Sequence, residues 1–577
     1  MLVGLEWRGA HQLSLALAPG LARANGRLRR PLVRMQTVVS ASIKSPMLQF
    51  LSRIWLALLL SLLAGCAPPD PPADLVVING SEPETLDPAL CTGQPDGRVA
   101  AALFEGLTRV HPKTGESVPG IAERWEISPD GKTYLFYLRT NALWSNGEPI
   151  TADDVVYSWR RVIDPLNAAD YAGQLYYVKN GLAINTRKIK DLTQLGVSAL
   201  HPHLVRVELE NPTAFFLDLC AFRTLCVVHR KTIEAYGDRW LMARPLPTSG
   251  CFSLEQWKVN DKVRLRRNPY HWDAANIRSE VVDLIHLESA TTALNLFETG
   301  QADIIWDKTL IPMELMDVLK ERPYVHTFKY LATYFMRFNV TRGPFKDPRV
   351  RKALALSVDK ARIAGHIMKA GEQPAATLVP PGTANYQGPE GLSYDPGLAR
   401  KLLAEAGFPG GKGFPSFHYL FNTAKQHEQV AVELQQMWKK ELGISLELRN
   451  TEWKVYLADQ SAVNFDLSRS AWVGDYNDPN TFLDMFMSNN GNNRTGWKSP
   501  GYDALLESAN RMTDLKERAE RLRQAERLLV VDDVVILPLF FYAGITFYRP
   551  DEISGIWANI IDEHALYPVA KKEKADR

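Results

Sequence analysis

The feature that most constrains this chain is a short apolar run near its N-terminus. Residues 54–63 read I-W-L-A-L-L-L-S-L-L. A run of that length falls far short of the ~20 residues that cross a bilayer as a helix. Arg53 precedes it, and Leu63-Ala64-Gly65-Cys66 places small residues at its exit. A basic flank, a short apolar core and a small-residue exit make up an export signal that is cleaved. Pro68, Pro69, Pro71 and Pro72 follow at once and read as an extended tether, not as a core helix. Residues 1–65 are therefore expected to be leader and residues 66–73 tether, with the fold beginning at residue 74. The signal lies close to Met47, so the expected start of translation is Met35 or Met47, with a long, basic leader as the alternative.

Setting the leader aside changes the charge. The whole chain holds 67 basic and 65 acidic residues, but residues 1–65 hold eight of the basic and one of the acidic. The remainder carries 59 against 64, a net charge near −5. Such a surface argues against a nucleic-acid partner, which calls for a basic face. More than 500 residues remain, enough for two or more domains. The run L-A-G-C resembles the lipobox of bacterial lipoproteins. The resemblance implies cleavage before Cys66, acylation of its thiol, and residence in the periplasm or cell envelope on a lipid anchor. In that oxidising compartment Cys91, Cys220, Cys226 and Cys251 are disulfide candidates, with three pairings open. No pair has C-x-x-C spacing, which argues against zinc and thioredoxin-like chemistry.

Beyond the tether, strands and helices mix throughout, the pattern of an α/β chain. Gly131 to Arg139 is aromatic-rich and reads as a strand. Thr151 with Asp154 predicts a capping box ahead of a helical stripe, Val155, Trp159 and Val162, ended by Asp164-Pro165. Asp395-Pro396 predicts a second helix with Leu398, Leu402 and Leu403 on one face, stopping at Gly407. Thr513 or Asp514 opens a third, with Leu515, Ala519, Leu522, Ala525 and Leu529 inward. Alternating segments at Leu204–Leu209, Val263–Leu265, Val281–Leu287 and Ser445–Leu448 predict strands.

Catalytic patterns are scarce. Gly131-Lys132-Thr133 resembles the end of a phosphate loop, but the first glycine of that motif falls on Glu126, so a hairpin turn is the better reading. His201 and His203 flank Pro202 ahead of a strand and read as a turn rather than a metal site. H-E-x-x-H and G-x-S-x-G do not occur. Neither an enzyme, a metal nor a cofactor is expected. The positive signal is aromatic. Tyr171, Tyr176, Tyr177, Trp472 and Tyr476 lie in polar, loop-like segments, where rings more often line a cleft. From Arg469 to Asp475 a cation, a large ring and an anion fall within seven residues.

Seven motifs in order then resemble one family. They are S-E-P-E-T-L-D-P at Ser81–Pro88, L-F-E-G-L at Leu103–Leu107, W-S-N-G at Trp144–Gly147, N-P-Y-H-W-D at Asn268–Asp273, F-K-D-P-R-V-R at Phe345–Arg351, L-L-A-E-A-G at Leu402–Gly407 and W-V-G-D-Y-N-D-P at Trp472–Pro479. The chain resembles, from Leu75 to Ala570, the oligopeptide-binding proteins of bacterial ABC importers, the family 5 extracellular solute-binding proteins. The resemblance implies a periplasmic-binding-protein clamshell of the type II, three-domain subclass, with a hinge between two lobes. It implies domain I from residues 74–106, 231–331 and 542–577, domain II from 107–230, and domain III from 332–541. The expected partners are short peptides, the permease and ATPase subunits of an importer, and a membrane through the anchor. The protein is expected to be a monomer.

A receptor for many peptides must grip what all of them share: backbone amides, an ammonium and a carboxylate. The resemblance assigns backbone contacts to Thr92–Gln94 and Ser470–Trp472, including Gln94 and Ala471. It assigns Asp475 to the ammonium, which needs a partner because an unpaired buried charge costs several kcal/mol. Arg469 and His427 match basic residues that meet the carboxylate, and Tyr171, Trp453, Trp472 and Phe541 match cleft-lining positions. A disulfide of some members would join Ala332 and Val473, where both cysteines are absent together. A lysine used for very short peptides falls on Met368, beside Lys369. The alternative is another solute on the same fold, such as a murein peptide, opine, haem or metal chelate; Asp475 favours a ligand with a free amine.

Overall fold

Two long antiparallel strands, Val325–Phe338 and Ile536–Tyr548, form the spine of an 11-stranded sheet. The computed structural model describes residues 71–573. The leader, Cys66 with its lipidation, and most of the tether lie outside the described residues, as do the side chains of Trp453 and Lys454. Residues from Pro72 onward form one unit. Both long strands are rich in aromatic and β-branched residues, and Tyr330 to Phe338 are all buried. A run buried on both faces reads as continuously apolar, which hides the period-two pattern of a strand.

The ladder between these strands is broken twice. From Val325↔Phe547 to Lys329↔Ala543 it is regular, it resumes at Thr333↔Phe541, and it shifts again between Tyr334 and Phe335. Phe335 is then opposite Pro538, which has no N–H to give, so the bulge falls where the ladder loses a donor. On one side of the spine lie Leu467–Val473, Phe417–Asn422 and Leu446–Thr451. On the other lie Ile304–Ile305, Leu75–Gly80, Val281–His286, Lys262–Arg267 and Phe252–Lys258. Each side has its own core: Leu354, Phe417, Trp438 and Leu467 on the first, Val77, Leu103, Trp240 and Leu284 on the second. The result is two lobes joined by the spine.

A separate four-stranded antiparallel sheet runs Ala122–Ile127, Thr133–Leu138, Leu204–Glu208, Val197–His201. Thr133–Leu138 alternates between half-buried and buried positions, as a one-sided strand should. The Gly131 segment is the predicted hairpin turn, with Gly131 at φ +69° donating to the Ser128 carbonyl at 2.8 Å. His201 and His203 flank the Val197–His201 to Leu204–Glu208 hairpin, also as read. The helix Ala152–Ile163 begins with the Thr151/Asp154 capping box and buries Val155, Trp159 and Val162. Tyr476 reaches this core from the other lobe and stacks on Phe215 with ring centroids 4.2 Å apart.

The four described cysteines correct the disulfide expectation: Cys91, Cys220, Cys226 and Cys251 are all free and buried. Cys220 belongs to the core of the four-stranded sheet, Cys226 and Cys251 to another. Burial pushes all four thiols up, which disfavours the thiolate that disulfide formation needs. Cys91 and Cys226 instead donate weakly to the Thr85 and Phe104 carbonyls, at 3.6 and 3.5 Å.

Candidate functional site

The cleft between the lobes is walled on one side by the strand Leu467–Val473. It pairs antiparallel with the first long strand from Phe338↔Leu467 to Ala332↔Val473. Ala332 and Val473 thus face each other, where the resemblance places a disulfide in some members. On its other edge this strand is paired to a neighbour only at Leu467 and Ser468. From Arg469 to Val473 that edge has no strand partner among the described residues, and an unpaired edge accepts an extended chain.

Past Val473 the chain turns tightly. The Gly474 amide donates to the Leu331 carbonyl at 2.7 Å, and a Cβ on Gly474 would lie 2.5 Å from the Leu331 side chain. Only glycine lets the backbone approach so closely. The Asp475 amide donates to Thr481 Oγ1 at 3.1 Å. Asp478, three residues on, is gripped bidentately by Arg518 at 2.7 and 2.8 Å and also accepts from the Asn480 amide. This buried pair pins the turn that presents Asp475.

The facing wall holds Thr92 and Gln94 at the start of the helix Gln94–Leu103, with Arg223 beside them. A cavity of about 410 Å³ lies between the walls, lined by Thr92, Gln94, Arg223, Ala471, Trp472 and Asp475. A second, of about 540 Å³, is lined by Gln174, Tyr177, Trp472, Asp475 and Asp484. Tyr171, Trp472 and Asp475 line both and form the partition between them.

The charges here are poorly compensated. Burial pushes the Asp475 carboxyl up to about 6, with Arg223 and the Gln174 amide pulling the other way. Burial and then the nearby Asp475 charge push Asp484 to about 7. Arg223 lies over Phe222 and Tyr171, 4.7 and 5.5 Å from their ring centroids, and no carboxylate of the described residues is within ion-pair distance of it. Arg469 is in the same situation. It donates to Tyr542 Oη at 3.3 Å and Asn422 Oδ1 at 3.5 Å, and its buried Nε has no partner.

His427, on the helix Lys425–Leu442, lies with its ring 5.6 Å from that of Tyr334. Burial, then the Arg469 charge, pushes it down to about 3, so it is neutral at physiological pH. Phe541 is buried in the second long strand opposite Thr333. Thr92, Gln94, Tyr171, Ala471, Trp472 and Asp475 therefore gather at the two cavities, whereas Arg469, His427 and Phe541 do not line them. Trp453 falls among the side chains outside the described residues. Met368 is buried in a core and Lys369 pairs with Asp317, so neither offers a free cation. Arg223 and Asp484 escape a sequence reading because each is one charged residue in an otherwise apolar stretch. Among the described residues no cluster of His, Cys, Asp or Glu is suited to a metal, and no helix is long and apolar enough to cross a membrane.

Comparison with known proteins bears on the fold and the family. The family described as bacterial extracellular solute-binding proteins, family 5 (middle), matches residues 116–494. The periplasmic oligopeptide-binding protein OppA of Salmonella typhimurium is 36% identical over 488 residues, covering 82% of this chain and 88% of that protein. The solved Haemophilus influenzae OppA complex with RPPGFSPFR superposes with a TM-score of 0.72 at 31% identity, covering 86% of this chain and 98% of the other. The Escherichia coli murein tripeptide binding protein MppA superposes with a TM-score of 0.75 at 32% identity, covering 87% and 99%. An α/β clamshell with an interlobe cleft, matched along most of its length by these proteins, belongs to the family 5 bacterial extracellular solute-binding proteins.

Proposed function

We propose that this chain is the solute-binding component of an ABC importer, which captures short peptides in the interlobe cleft and hands them to a membrane permease. One observation carries the reading. Asp475 and Arg469 are six residues apart on one wall, opposite in charge, half-buried, and without an ion-pair partner among the described residues. A buried charge that lacks a partner is costly, and a zwitterionic ligand supplies both partners at once. The unpaired edge between them suits a peptide backbone added as a strand. From Arg469 the strand runs only to Val473, and the turn that follows carries Asp475, so the two charges are closer than the ~20 Å of a fully extended seven-residue segment. An extended peptide of three to five residues spans ~10–18 Å, the size class this reading assigns to the ligand.

In this reading Asp475 takes the ammonium and Arg469 the carboxylate, with neutral His427 available to the carboxylate only as a hydrogen-bond donor. Thr92, Gln94 and Ala471 contact the backbone, and Tyr171 and Trp472 shape the side-chain space. Residues 74–106, 231–331 and 542–577 serve as domain I, 107–230 as domain II and 332–541 as domain III. The protein works in the periplasm as a monomer held to the membrane by a lipid on Cys66, without enzymatic activity. The relatives named OppA and MppA support a peptide over a metal chelate.

The test is direct. Residues 67–577 are unfolded to strip bound ligand, refolded, and heated with and without a mixed pool of tri- to pentapeptides. A rise in Tm is expected, since a ligand that binds only the folded state stabilises it. An unchanged Tm across the pool would overturn the assignment.

A further inference from the structure

Lys308 is a half-buried cation without an ion-pair partner among the described residues. It opens the single turn Lys308–Leu310, just after the strand Ile304–Ile305 that joins the second long strand to its lobe. Its ammonium lies 3.9 Å from the ring centroid of Tyr330 and 5.1 Å from that of Tyr542. These two tyrosines sit where the ladder between the long strands is interrupted, between Lys329 and Thr333. Among the described residues no carboxylate is within ion-pair distance of Lys308.

Each acid nearby is already committed. Asp307 accepts from the Thr309 amide and hydroxyl at 2.9 and 2.6 Å through one oxygen, and pairs with Arg98 at 3.3 Å through the other. Asp562 is paired with His564 at 2.9 Å. Glu372 accepts from the Ala370 amide at 2.9 Å. Cation–π contact offsets only part of the desolvation of an ammonium taken out of water. The shortfall is what an incoming anion would remove. Arg469 donates to the hydroxyl of the same Tyr542 whose ring faces Lys308, so the two cations flank one side chain.

We propose that Lys308 is a second anion-binding group of the cleft, which receives a side-chain carboxylate of the bound peptide while Arg469 holds the terminal one. The inference rests on the peptide reading and sharpens its substrate class to short peptides carrying Asp or Glu toward the C-terminal end. Burial lowers the Lys308 ammonium to about 8, against the pull of Asp562 and Asp307, with Arg98 and Glu372 as the other charges facing it. The lysine is charged at pH 7 and largely neutral at pH 9, so the preference should fade over that range.

The test uses tetrapeptides that differ only by Glu or Gln at one position, moved along the chain, with free and amidated C-termini. Binding is measured to the refolded protein and to Lys308→Met. At one position the wild type should bind Glu about tenfold or more tighter than Gln, the gain of a charge-assisted contact. Lys308→Met should abolish that ratio and leave the Gln peptide within about threefold. The ratio should survive amidation and fall between pH 7 and pH 9 in the wild type, a readout independent of how well the variant folds. A ratio near one at every position, or a ratio retained in Lys308→Met, overturns the proposal. So does a penalty for amidation that vanishes in Lys308→Met, which would put the terminal carboxylate on Lys308. Failure of every peptide to bind would instead overturn the peptide reading, and this one with it.

Discussion

Replacing Asp475 by Asn keeps the shape of the side chain and removes its charge, and the structure makes the two consequences opposite in sign. The carboxyl titrates at about 6 in the fold against an ordinary 3.8. The folded state therefore binds this proton more tightly than the unfolded chain. The resulting cost to the ligand-free fold is absent below pH 4, grows between pH 4 and 6, and is complete above that. At 1.36 kcal/mol per pKa unit the ceiling is about 3 kcal/mol at pH 7.5. Asp475→Asn should thus stabilise the ligand-free protein at pH 7.5 and change nothing at pH 4. Unfolding entropy of ~2.1 cal/mol/K per residue converts this ceiling to about 3 °C in Tm for roughly 500 residues. Peptide affinity should move the other way. An ammonium left buried without its partner costs ~3–5 kcal/mol, which is on the order of a hundredfold or more in Kd. N-acetylated peptides carry no ammonium and should lose little. Calorimetric melts between pH 4 and 8 test the first part, and titration with matched free and acetylated peptides tests the second. A ligand-free Asp475→Asn that is less stable at pH 7.5 would show that the carboxylate is already satisfied within the protein. Equal losses for both peptide forms would remove it from the ammonium role.

Two further outcomes follow from the same accounting. Asp478→Ala strands Arg518, 4% exposed, without its bidentate partner, and should cost about 3–5 kcal/mol in denaturant unfolding. It should also weaken peptide binding by loosening the turn that carries Asp475, whereas binding at wild-type strength would separate the two. In residues 67–577 the four thiols should resist a thiol reagent in the native state and all react in guanidinium, with Tm unchanged by reductant; a reductant-dependent Tm would mean that disulfides form.

Local chemistry was legible in the sequence wherever a side chain acts on its own backbone. The Thr151/Asp154 capping box, the Asp395 cap on the Leu398 amide at 2.9 Å and the Gly131 turn all form as predicted. The inward faces of the other helices were read less well. Leu398 and Leu515 are 40% and 44% exposed, although both fit their apolar stripes. In the helix Leu515–Arg527 the buried positions include Arg518 and Glu526. Arg518 is there for Asp478, and Glu526 for the Leu378 and Val379 amides, each at 2.7 Å. Hydrophobicity carries no mark of such long-range partners. The cleft was legible at Trp472 and Asp475 because aromatic and charged residues crowd one segment. Arg223 becomes visible only when the fold brings it to the same cavity.

The order of strands in the main sheet also sets a timetable. Leu75–Gly80 waits for Val281–His286 and Ile304–Ile305, and Ile304–Ile305 in turn bridges Leu75–Gly80 to Ile536–Tyr548. Pairings between segments so distant in the chain close late, because their loop entropy is spent before the contacts return it. A chain that we propose is exported thereby stays threadable until nearly all of it has been made. Its last long strand then acts as the clasp of both lobes, and a chain cut before Ile536 should open to protease where the two lobes meet.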